Sequence, residues 1–175
     1  MPKILTYASS VIFAALALPS AAYAGELFGG LYKHDADSPL TVGSAPESGV
    51  DFQVGYRTGP IIAGTKLEPY VFGALNSKGD TSYAAVGLAW KFGDKFFVRP
   101  GLGIAIHNGS DDEFYRTDRI AFGSRVLFEP ELGIGARINR RLTFEASWVH
   151  MSHAQLFSDQ NPGINNIGAR LALGL

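Results

Sequence analysis

The chain has 175 residues, of which 46% are hydrophobic and 12% aromatic, with 21 glycines, no cysteine and a formal net charge of −1. The missing cysteines exclude a disulfide scaffold and a thiolate enzyme. The near-neutral balance gives no electrostatic footprint for nucleic acid. Hydrophobic residues are dispersed in alternation rather than gathered into runs, which favours a β-protein of one domain over a helical one.

The chain opens as a secretion signal. Lys3 supplies the positive start, Val11 to Leu18 (VIFAALAL) a short apolar stretch, and Ala22-Tyr23-Ala24 a small-x-small cleavage site. The apolar stretch is shorter than the roughly 20 residues a spanning helix needs. The expected organisation is a signal peptide over 1–24 and one β-domain over 25–175. No later stretch has the length and apolarity of a transmembrane helix.

Eight strands are predicted, at about 26–34, 50–58, 66–76, 81–91, 96–107, 124–138, 142–152 and 165–175. The second sets Val50, Phe52, Val54 and Tyr56 against Asp51, Gln53, Gly55 and Arg57. The fifth, sixth and eighth alternate in the same way. Side chains change face at each residue of a strand, so every strand has one oily and one polar side. With a signal peptide, this pattern predicts an eight-stranded antiparallel β-barrel of the bacterial outer membrane, polar side inward. Asp51, Arg57, Glu68, Arg99, Arg125, Glu129, Glu131, Arg137, Glu145 and Arg170 would then converge and pair in a narrow interior. Glycines on the same face would make room for them.

Three prolines, Pro69, Pro100 and Pro130, fall within strand patterns and are expected at bulges or strand ends. Connections alternate between short turns, such as 92–95 and 139–141, and longer polar loops at 35–49, 108–123 and 153–164. Segment 76–80 is a short exception on the loop side. Short periplasmic turns with longer external loops are the outer-membrane arrangement. Tyr56, Trp90, Phe92, Phe96 and Trp148 near strand ends suit interfacial girdles. Reversed faces would give a soluble periplasmic barrel with an apolar cavity for lipid.

The seventh strand carries chemistry. Leu142, Phe144, Ala146, Trp148, His150 and Ser152 share its oily face, with Thr143, Glu145 and Ser147 opposite. This strand runs outward, so a histidine and a serine lie at the outer, lipid-facing rim. A serine hydroxyl needs a base to become nucleophilic, and residues i and i+2 of one strand present both on one side.

The run His150-Met-Ser152-His153-Ala154, followed by Asn161-Pro162-Gly163-Ile164 and an apolar last strand, resembles the PagL family of lipid A 3-O-deacylases. Phe122-Gly-Ser-Arg-Val-Leu-Phe128 and Glu131-Leu-Gly-Ile-Gly135 also look like that family. The resemblance is strongest over 122–175. It implies an outer-membrane hydrolase with a Ser-His-acid triad that removes the ester-linked 3-hydroxyacyl chain at position 3 of lipid A. Ser152 matches the nucleophile and His150 the base. The implied oxyanion hole combines His153, standing where the family has asparagine, with the Ala154 N–H. No cofactor or metal is implied, and the partners are lipopolysaccharide and outer-membrane lipids. No feature argues for a homodimer.

Two departures stand out. Asn165 occupies the position of the family's glutamate, and Leu175 ends the chain where an aromatic residue is expected. An asparagine can orient a histidine by accepting its N–H, but it brings no charge. Asp159 would bring one if its loop folded back. Two functions therefore fit: a deacylase using Asn165, or a catalytically impaired or structural small barrel. His34 and His107 are expected in the interior or the loops, too far apart in sequence to form a metal motif. Asp111-Asp112-Glu113 reads as a solvated loop.

Overall fold

The computed structural model describes residues 25–37, 47–112, 119–156 and 162–175. The signal-peptide segment, Glu113, Asp159 and Asn161 lie outside the described residues. Eight antiparallel strands close into one barrel in chain order. They are β1 (Glu26–Lys33), β2 (Val50–Arg57), β3 (Leu67–Asn76), β4 (Tyr83–Trp90), β5 (Phe96–His107), β6 (Val126–Arg137), β7 (Leu142–Met151) and β8 (Ile164–Gly174). Each lies within two residues of the span its alternation predicts. Closure comes from β1 pairing with β8, Leu27 opposite Leu173 and Lys33 opposite Ile167.

The faces sort as the alternation requires. Leu31, Phe52, Val54, Val71, Val86, Ile104, Ile134 and Leu171 are exposed on the outside. Arg57, Arg99, Arg170, Glu129, Glu131 and Glu145 are buried within. An apolar exterior around a charged interior is the pattern of a membrane-spanning barrel, and it removes the alternative of a soluble barrel with an apolar cavity. The interior is plugged by ion pairs. Glu145 holds Arg170 at 2.6 Å and also binds Arg99, while Glu131 holds Arg170 at 2.9 Å. Glu26 reaches Arg57 at 2.6 Å, and Glu68 reaches Arg99 at 3.2 Å. Glycines open the space these carboxylates fill: a Cβ on Gly133 would stand 2.5 Å from Glu145 Oε1, and one on Gly101 2.7 Å from Glu131 Cγ.

Two arginines expected in this network lie outside it. Arg125 is exposed and pairs with Asp111 at 2.6 Å, and Arg137 is exposed at the other rim. Arg125 precedes the first residue of β6 and Arg137 is its last, so the strand's alternation no longer holds them inward.

The prolines also differ from expectation. Pro100 and Pro130 sit inside β5 and β6, opposite Leu132 and Leu102, and Pro69 is the third residue of β3. An antiparallel strand points each N–H at one neighbour only, so a proline removes a single ladder bond.

The barrel has two distinct ends. The termini lie at one, with Glu26 opposite Gly174, together with connections 58–66, 91–95 and 138–141. Tyr56, Trp90, Phe92 and Phe96 gather at this end, and Trp148 lies at the opposite one. The longer connections, 34–49, 108–125 and 152–163, lie at the loop end with the short 77–82. Beneath them, buried His34 sits between Asp51 at 2.8 Å and Glu47 at 3.1 Å. Glu47 also accepts from Thr81 N (3.1 Å), Thr81 Oγ1 (3.0 Å) and Ile120 N (3.0 Å). One carboxylate thus ties three loops to the top of the interior.

Candidate active site

Strands β7 and β8 pair from Leu142–Leu173 to Met151–Ile164, which sets His150 directly opposite Asn165. Directly opposed residues bring their side chains within reach of each other. His150 Nδ1 lies 3.0 Å from Asn165 Oδ1, and His150 Nε2 lies 3.1 Å from Ser152 Oγ. Hydroxyl, imidazole and amide oxygen therefore form a continuous relay at the loop end, on the barrel's outer side. His150 and Ser152 are half-buried, and Asn165 is fully buried. Trp148 donates its indole N–H to the same Asn165 oxygen at 2.9 Å. Its ring stacks on the imidazole, with centroids 5.7 Å apart and planes inclined by 22°.

The backbone around the relay is held from three sides. Ser152 exchanges two backbone bonds with Phe128 of β6, at 2.8 and 3.1 Å. Continuing that register places Pro130 opposite His150, where Pro130 has no N–H to give. The β6–β7 ladder is therefore interrupted beside His150. From the β1 side, Ala36 N donates to the Asn165 carbonyl at 2.6 Å, and Asp35 N donates to Asn166 Oδ1 at 2.9 Å. At the start of β8, Gly163 lies against the imidazole: a Cβ there would stand 2.6 Å from His150 Cε1 and 3.1 Å from Nε2.

The two expected oxyanion residues separate. His153 is fully buried, so its ring presents no surface to a molecule bound at the outer rim. Ala154 is exposed and begins a left-handed pair, with φ of 52° at Ala154 and 59° at Gln155, closed by Leu156 N donating to His153 O at 3.0 Å. Both central residues of a type I′ turn need positive φ, a geometry that normally selects glycine or asparagine. Ala and Gln in these places cost on the order of 1–2 kcal/mol each. Backbone strain of this kind concentrates at functional sites.

Sequence reasoning placed His150, Ser152 and Asn165 together, and the structure brings them together. It did not single out Gly163 for a role, and it read Trp148 only as a girdle residue. Trp148 is two residues from His150 on the same strand face, and that spacing was the available signal.

The family model described as "Lipid A 3-O-deacylase (PagL)" matches residues 49–174, a span that includes the whole relay. The crystal structure of the outer membrane enzyme PagL aligns with a TM-score of 0.56 at 18% identity, over 88% of this chain and 100% of that one. A designed transmembrane β-barrel aligns with a TM-score of 0.54 at 10% identity, over 90% and 100% of the two chains. At these identities the structural likeness establishes the fold alone. No curated protein sequence matches the chain. The family match covers well over half the sequence, and the chain belongs to the PagL family.

Proposed function

We propose that the protein is a lipid A 3-O-deacylase of the outer membrane, with its loop end facing the cell exterior and Ser152 as the nucleophile. The observation that carries this reading is the Ser152–His150–Asn165 relay on the apolar outer side of a barrel rim. A lipid lying in the outer leaflet would bring its acyl ester to that height without leaving the membrane.

His150 Nε2 takes the Ser152 proton as Oγ attacks the ester carbonyl carbon. The tetrahedral intermediate collapses, and the same proton leaves with the sugar 3-oxygen. Water then attacks the acyl-serine, again with His150 as base, and releases a 3-hydroxy fatty acid. Asn165 fixes the imidazole by accepting from Nδ1, as an asparagine does in cysteine proteases. The oxyanion falls first to the exposed Ala154 N–H. Use of the His153 ring would require the 153–156 turn to open.

Mass spectrometry of lipid A incubated with the detergent-folded protein tests this reading. The expected result is loss of one 3-hydroxyacyl chain, reduced about a thousandfold or more in rate by Ser152→Ala. Intact lipid A after incubation with a verified folded barrel would overturn it in favour of a catalytically impaired relative.

A further inference from the structure

We propose that Trp148 is a positioning residue of the site, one that fixes the Asn165 amide and through it the proton position on His150. The inference rests on the deacylase reading only for its kinetic consequence. Its structural part stands on the site geometry.

An asparagine differs from the family's glutamate in more than charge. A carboxylate offers an acceptor oxygen in either orientation, whereas an amide offers oxygen on one side and NH2 on the other. An amide turned the wrong way would donate to His150 Nδ1, leaving that nitrogen unprotonated. The proton would then sit on Nε2, and His150 could not accept from Ser152. A relay built on asparagine therefore needs something to choose the amide's orientation.

Trp148 makes that choice. An indole N–H only donates, so the Asn165 atom 2.9 Å from it must be the oxygen. The same oxygen lies 3.0 Å from His150 Nδ1, which must therefore carry the proton. Nε2 is left with its lone pair directed at Ser152 Oγ, 3.1 Å away. The order of protons along Trp148, Asn165, His150 and Ser152 follows from one donor that cannot accept. The stacked indole adds a second effect: its face lies beside the imidazole, and an aromatic face attracts the imidazolium that forms as Ser152 is deprotonated. Asn165 cannot supply that stabilisation by charge.

Nitrogen-15 NMR of the folded barrel labelled at histidine and tryptophan reads the tautomer directly and needs no substrate. The expected spectrum of the unmodified protein shows neutral His150 protonated at Nδ1, with the Trp148 indole N–H slow to exchange. Neutral His150 protonated at Nε2 would overturn the proposal even if no Trp148 variant folds. Trp148→Phe keeps an aromatic ring but removes the N–H, and is expected to mix the tautomers and lower kcat about tenfold or more with KM little changed. In an Asn165→Asp background, whose carboxylate needs no orienting donor, the same substitution should cost less than about threefold. Equal losses in both backgrounds would make Trp148 merely structural and overturn the proposal. An unmodified protein inactive on lipid A would overturn the deacylase reading, while the tautomer result would still decide this one.

Discussion

At the scale of single residues, the site depends on side chains that differ in what they can donate. Asn165 offers His150 an uncharged acceptor oxygen, and His150 is held between that amide oxygen and a hydroxyl. Gly163 matters for the opposite reason, since it contributes no side chain at all. A Cβ there would meet the His150 ring at 2.6 Å and the Met151 carbonyl at 3.1 Å, so the ring has to give way. On the proposed function, a shift of about 1 Å in the base can cost on the order of a hundredfold in rate. Gly163→Ala is accordingly expected to lower kcat by about that factor while the barrel folds normally. Deacylation rates measured alongside heat-modifiable gel mobility check both halves of that statement. The meeting of His150, Ser152 and Asn165 was legible from sequence because one strand's alternation and one recognisable motif contain them. The role of Gly163 was not, because it depends on a contact between the β7–β8 connection and β7 that no spacing encodes.

At the scale of elements, two strands build the relay and their neighbours fix it. The β7–β8 register places His150 and Asn165 opposite each other, and β6 anchors Ser152 through the Phe128–Ser152 bridge. Strand spans were readable to within two residues because an oily outside and a charged inside give period-two alternation its sharpest contrast. The prolines misled for a physical reason. Sequence rules discount proline in a strand as though it broke the ladder on both sides, whereas here each removes one bond. At Pro130 that lost bond faces His150. The turn after Ser152 was equally hidden, since Ala154 and Gln155 carry no sign of positive φ. Ala154, the proposed oxyanion donor, lies in that strained turn.

At the scale of the whole molecule, the interior is a charged plug, and the loop end is drawn down onto it. The pairing of Glu145, Glu131 and Glu68 with Arg57, Arg99 and Arg170 was foreseeable from the polar faces of the strands. The omission of Arg125 and Arg137 was not, because both sit where strands end. The His34 clasp joins loop ends distant in sequence, so only the closed barrel reveals it. Burial alone would lower the His34 pKa. The hydrogen bonds and charges of Asp51 and Glu47 outweigh it and raise the pKa from 6.5 to about 9. A group whose pKa is raised on folding stabilises fully below its unfolded value, and the contribution disappears as pH climbs through the folded one. The loop end should therefore lose stability between about pH 6.5 and 9, by up to roughly 3 kcal/mol. Protease resistance of the loop-end connections measured across that range should fall, and His34→Gln should remove most of the pH dependence.

On the proposed function, Ser152 is an activated nucleophile whose reactivity comes through His150. Intact-protein mass spectrometry after exposure to a long-chain fluorophosphonate tests this without reference to any one lipid. A single covalent adduct, mapped to Ser152, is expected in the unmodified barrel, with its near absence in His150→Ala. A folded barrel that takes up no label, or one labelled equally in both forms, would contradict it.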